Sequence, residues 1–71
     1  MEDEISHQIL KILENSKEPK ETKEIQKQMP NVSRTKLMYR LRDLRGEGKI
    51  QGKRVAAGGK GVWIWWKPRD L

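Results

Sequence analysis

The apolar residues of this chain change their spacing once, at Gly48, and that change limits the fold more than any other feature. Before Gly48 apolar positions recur every three or four residues, which lines them along one face of a helix. After it they alternate, as on a strand with one buried face. Ile5, Ile9, Ile12 and Leu13, widened by Leu10, form the stripe of a first amphipathic helix. Asp3 is its predicted N-cap, and the acidic residues around it suit the positive end of the helix dipole. The pattern ends near Asn15, and Ser16 to Pro19 reads as a polar turn closed by proline.

Two further helices precede the switch. Lys20 to Thr22 is short and extended, and Thr22 is the predicted N-cap of a second helix carrying Ile25 and Met29. Pro30 stops that helix at about Met29. Asn31 and Val32 make the turn, with Val32 a candidate plug between helices. Ser33 caps a third helix over about 33–47, whose apolar seam is Leu37, Leu41 and Leu44. Gly48 suits the left-handed position that ends a helix. The middle of the chain is therefore helix, turn of about three residues, helix. Beyond it, Ile50 to Val55 reads as a strand, residues 56–61 as a flexible loop, and Val62 to Trp66 as the antiparallel partner. The expected fold class is α+β: three helices and a C-terminal β-hairpin at about 50–66. It forms one domain over 1–71, with a core at about 3–67 and a short tail at 68–71.

Charge points to the partner. The 71 residues carry a net charge of +6, unevenly spread. Residues 1–30 hold five Lys/Arg against seven Asp/Glu, whereas residues 31–71 hold eleven against three. An acidic front and a basic back fit a polyanion met by one side of the molecule. A solvated, lysine-rich surface of the kind found in thermophiles is the blander account of the same composition. There is no cysteine, so neither disulfides nor thiolate metal ligands are available. No apolar run is long enough for a membrane span or a signal-peptide core, which gives an expectation of a cytoplasmic protein without a membrane partner. His7 is the only histidine and no acid or nucleophile is spaced to join it. Glu2, Asp3 and Glu4 read as helix-start charges, not metal ligands. The expectation is a protein with no catalytic site, no metal and no cofactor. The stretch from Gly58 to Gly61 lacks the spacing and the trailing Lys-Ser/Thr of a nucleotide-binding loop.

Setting Leu41 at the centre of the third helix's buried face puts Thr35, Lys36, Tyr39 and Arg42 on the opposite face, with Arg34 and Arg40 toward its edges. Arginine can bond guanine edges, threonine can meet a thymine methyl, and tyrosine or lysine can reach phosphates. Arg34 and Lys36 fall in the first turn, where the dipole disfavours cations by roughly a few tenths of a kcal/mol each. Local disagreement of this kind marks functional sites, and the free N–H groups at the same helix end, following Ser33, attract phosphate. On the hairpin, Lys53, Arg54 and Lys60 flank the tip, where they would reach backbone phosphates. Strand alternation sends Trp63 and Trp65 to one face, predicted to pack on the helices. Ile64 and Trp66 go to the other, as a partly exposed strip able to cover an edge or to bind a second copy or a protein partner.

These residues resemble those of winged helix-turn-helix DNA-binding proteins. The resemblance rests on the run Ile9 to Leu13, on Ser33 to Leu37 with Leu41 and Leu44, on the exit Gly48-Lys49-Ile50, and on the strand with Trp63. It covers roughly residues 5–66. The nearest flavours are small archaeal transcription regulators and the Z-DNA-binding winged-helix domains. The signature of the latter is a basic residue, an asparagine four positions on and a tyrosine four beyond. Here those positions hold Arg34, Met38 and Arg42, and the two wing prolines before the tryptophan are absent. The resemblance therefore implies the fold and ordinary double-stranded DNA as partner, with the third helix in the major groove. Its tryptophan faces the helices, in line with the inward placement of Trp63. Two other functions use the same residues: a protein-interaction winged helix in a larger nucleic-acid-processing complex, through Ile64 and Trp66, and an RNA or single-strand binder with exposed tryptophans.

Overall fold

The structure, a computed structural model, describes residues 3–68. Arg69, Asp70 and Leu71, most of the expected tail, lie outside the described residues, as does Glu2. The chain runs α1 (Glu4–Glu14), β1 (Lys20–Glu21), α2 (Thr22–Lys27), α3 (Arg34–Gly46), β2 (Gln51–Ala57), β3 (Lys60–Trp66). This is the α+β winged-helix order, with three helices and a hairpin wing. Helix starts follow the expected chemistry at two of three sites. The Asp3 carboxylate accepts the Ser6 N–H at 2.9 Å, and the Ser33 hydroxyl accepts the Lys36 N–H at 3.2 Å. Gly48, at φ +78°, turns the chain out of α3 into the sheet.

The start of α2 differs from expectation. Its N-cap is Glu21, and the Glu24 carboxylate reaches back to accept the Glu21 N–H at 2.9 Å, a capping box. Thr22 stands one position inside the helix and is buried. Its hydroxyl accepts the Trp65 indole N–H at 2.9 Å and donates to the Met38 sulfur at 3.6 Å. A buried indole N–H without a partner costs about 1–3 kcal/mol, so the hydroxyl serves the core and the cap falls to its neighbour. The helix also ends at Lys27, before Met29, which leaves residues 28–33 as a connection longer than the expected three-residue turn. Gln26 Nε2 donates to the Val32 carbonyl at 3.1 Å, and the Val32 N–H donates to the Met29 carbonyl at 3.0 Å, so the connection is pinned at its far end.

The sheet has the order β1-β3-β2, antiparallel throughout. Lys20 pairs with Trp65 and Glu21 with Ile64. The wing is longer and tighter than its sequence predicts. The expected loop at 56–61 is largely strand, with Ala56 opposite Gly61 and Ala57 opposite Lys60. Only Gly58 and Gly59 turn, at φ +59° and +83°. Two adjacent left-handed residues make the turn whose twist matches a hairpin, and glycine adopts it without steric cost. Beyond the short β1, the sheet ends at β2, whose outer edge is unpaired along Gln51–Ala57 among the described residues.

Ile9, Leu13, Ile25, Met29, Leu37, Leu41, Leu44, Ile50 and Trp65 form the core. Each large member contributes about 1.5–3 kcal/mol by leaving water. Trp65 is the largest side chain fully buried, and Gly52 lies opposite it on β2. A Cβ on Gly52 would fall 2.7 Å from Trp65 Cζ3 and closer still to Cε3, so only glycine lets the ring lie flat on the strand. Asp3 makes a second tie: its other carboxylate oxygen accepts Arg40 Nε at 2.6 Å, joining the start of α1 to the middle of α3.

Four outcomes follow for stability. Gly52→Ala should lower stability by about 1–3 kcal/mol through overpacking, read as a lower urea midpoint. Gly46→Ala, whose Cβ meets nothing within 4 Å, should be neutral or stabilising by up to about 1 kcal/mol. Thr22→Val should cost about 1–3 kcal/mol, and Thr22→Ser should recover most of it. The fourth concerns pH. The Ser6 N–H, with lesser help from Arg40, holds the Asp3 carboxyl below its ordinary value. The folded state thus binds this proton less readily than the unfolded chain. The stabilisation is complete above the unfolded carboxylate range and is lost as pH falls through the lowered folded value. Asp3→Ala should therefore depress the melting temperature at pH 7 and less so at pH 3.

Candidate nucleic-acid interface

α3 rests on the core through Leu37, Leu41 and Leu44 and turns the rest of its circumference outward. Arg34, Thr35, Lys36, Tyr39 and Arg42 are all exposed. Tyr39, 61% exposed, is the one large hydrophobic residue left open among those described. The first turn of the helix contains no acid. Arg34, Thr35, Met38, Tyr39 and Arg42 line a shallow depression of about 270 Å³ along this face.

A second depression, about 490 Å³, joins α3 to the wing. It is walled by Glu21, Thr22 and Lys23 at the start of α2, by Arg34 and Met38, and by Lys60 to Trp63 on β3. Arg34 and Met38 belong to both depressions, so the outward face of α3 runs continuously to the wing. Lys60, Arg34 and Lys23 thus line one groove. Among the described residues lining the two depressions, Glu21 is the only acid. The combined surface holds three classes of donor: guanidinium, ammonium, and the hydroxyls of Thr35 and Tyr39. It also offers the free N–H groups at the start of α3.

The other predicted site residues fall elsewhere. Arg40 is bound to Asp3 on the α1 side of α3, so its guanidinium is already occupied within the protein. Arg54 lies on the sheet face shared with Trp63 and folds over Gly61, where a Cβ would collide with its guanidinium. Lys53 is on the opposite sheet face, in a separate depression with Ile64, Trp66, Lys17 and Pro19. Strand alternation separates these two neighbours, which residue type alone groups together. Ser33 acts as the cap of α3.

Three residues of this surface escaped sequence reasoning. Arg45 sets its guanidinium 5.4 Å from the Trp63 ring centre, and Trp63 stacks on Trp65 at 5.2 Å with 19° between planes. The helical wheel carried the signal, since Arg45 lies about 40° and Met38 about 60° from Leu41, on the side of the seam away from Leu37. Lys23 carried none, because its place in the groove depends on how α2 packs. Trp63 is half-buried and Trp65 buried, as alternation predicts. Ile64 and Trp66, on the outer face, are half-buried beside Pro19 and Pro68. No helix among the described residues is long and apolar enough to cross a membrane.

No protein-family model matches the chain, and no curated protein matches it in sequence. Among solved structures, the fold is similar to that of Stf76 from the Sulfolobus islandicus plasmid-virus pSSVx. The TM-score is 0.77 over 96% of this chain and 87% of the other, at 22% sequence identity. The shared element is the backbone architecture.

Proposed function

We propose that the chain binds double-stranded DNA in its ordinary right-handed form and acts as a small transcriptional regulator by occupying its site. The observation that carries this reading is the continuous surface from α3 to the wing, where the two depressions bring Arg34, Arg42, Lys23 and Lys60 together with Glu21 as the one acid among their described lining residues. α3 enters the major groove, about 12 Å wide and able to admit one helix. Arg34 and Arg42 then approach base edges, while Lys36, Tyr39, Lys60 and Lys23 contact phosphates. The cations in the first turn of α3 cost a little stability in the free protein. Bound phosphates offset that cost, because they take up the free N–H groups and the cations together. No reacting group is needed, so the chain works as a binding protein and not as an enzyme. A single-strand platform is disfavoured: Trp65 is buried, and the ring of Trp63 is already partnered by Trp65 and Arg45.

Fluorescence anisotropy of a labelled 20-base-pair duplex across a salt series tests the reading. With about five phosphate contacts, log affinity should fall against log salt with a slope near −4 to −5. Lys60→Ala should make that slope shallower by about 0.9, whereas Lys53→Ala, on the far sheet face, should change it less. Binding that does not respond to salt, or no binding at micromolar protein in low salt, would refute the proposal.

A further inference from the structure

Met38 sits where the two depressions meet, and it is the one residue of α3 besides Arg34 that lines both. Its neighbours one turn before and after are Arg34 and Arg42, so an apolar, polarisable side chain is set between two guanidinium groups. The side chain is half-buried and packs against the core. Its sulfur is held by the Thr22 hydroxyl at 3.6 Å, and that hydroxyl is itself oriented by the Trp65 indole at 2.9 Å. Methionine ordinarily has three rotatable bonds and adapts to whatever it meets. Here a hydrogen bond to the sulfur leaves rotation about the final bond as the main freedom of its terminal methyl. Holding a flexible side chain in this way serves recognition of a fixed feature better than it serves general adhesion. In the major groove the one apolar feature of a base edge is the C5-methyl of thymine.

Resting on the DNA-binding reading above, we propose that Met38 is a specificity-determining residue that reads a 5-methylpyrimidine, with Thr22 and Trp65 as its positioning residues. Thymine sets the apolar contact, and the flanking arginines favour guanine on either side. The chain thus reads a mixed site in which one position is recognised by a methyl group alone.

Uracil differs from thymine only by that methyl, which gives a clean test. Duplexes are enriched from a random pool by repeated binding to the wild-type protein. The enriched pool is then synthesised again with either thymidine or deoxyuridine triphosphate. Wild-type protein should bind the thymine pool about fourfold more tightly, the worth of one buried methyl group. Met38→Gln, of similar length but polar, should bring the ratio near one. Met38→Leu, apolar but unable to accept the Thr22 hydrogen bond, should keep a ratio above one. Thr35→Ser, which removes the other methyl on this face, should leave the ratio about fourfold. Equal wild-type affinity for the two pools, or a ratio that survives Met38→Gln, overturns the assignment of Met38 and leaves DNA binding standing. Failure to enrich any duplex overturns the assignment of Met38, and absence of duplex binding in the anisotropy series overturns both.

Discussion

The Trp65 indole must be buried and must also find an acceptor for its N–H, and these two demands organise the molecule. The ring is the largest fully buried side chain, and it belongs to the central strand, which pairs with β1 on one side and β2 on the other. Its acceptor is on α2, not in the sheet. A single hydrogen bond therefore fixes the wing against the helical layer. The cap of α2 moves to Glu21 because Thr22 is taken, β2 carries glycine where the ring lies, and the Met38 sulfur is drawn into the same chain of bonds. An unpaired indole in this place would cost about 1–3 kcal/mol, and the local choices accommodate it.

Apolar spacing made the element order legible. The stripe from Ile5 to Leu13, the seam of Leu37, Leu41 and Leu44, and the alternation from Val62 to Trp66 all lie where their periods put them. The details that went astray were settled by tertiary competition. Thr22 has the side chain of a cap, but a buried donor outbid the helix end for it. Residues 56–61 have the composition of a loop, but only Gly58 and Gly59 need left-handed backbone, and the rest can pair. Arg40 looks like its neighbours on the wheel until Asp3 is brought beside it by the packing of α1. No periodicity in the chain carries that information.

The candidate interface shows the same division between local and distant causes. The outward set Thr35, Lys36, Tyr39 and Arg42 follows from helical geometry once the buried seam is known, whereas Arg34 is exposed because it opens the helix. Its extension to Lys60 and Lys23 depends on the groove between α2, α3 and β3, which only the assembled fold creates. Charges are also sorted in depth. The Asp3 and Arg40 pair neutralises the side of α3 facing α1, while the side facing the wing keeps its cations and a lone Glu21. Screening by salt acts on the second group far more than on close pairs in contact.

The unpaired edge of β2 has a consequence for behaviour at high concentration. An exposed strand edge is a template for joining another chain, and runaway strand addition is how sheet proteins form fibres. If two copies met edge to edge about the midpoint of Gln51–Ala57, Arg54 would lie directly across from Arg54, with Lys53 beside it. Like charges so placed oppose pairing. Lys53, which takes no part in the surface around α3, thus adds with Arg54 to the positive charge on this open edge, where it opposes strand addition.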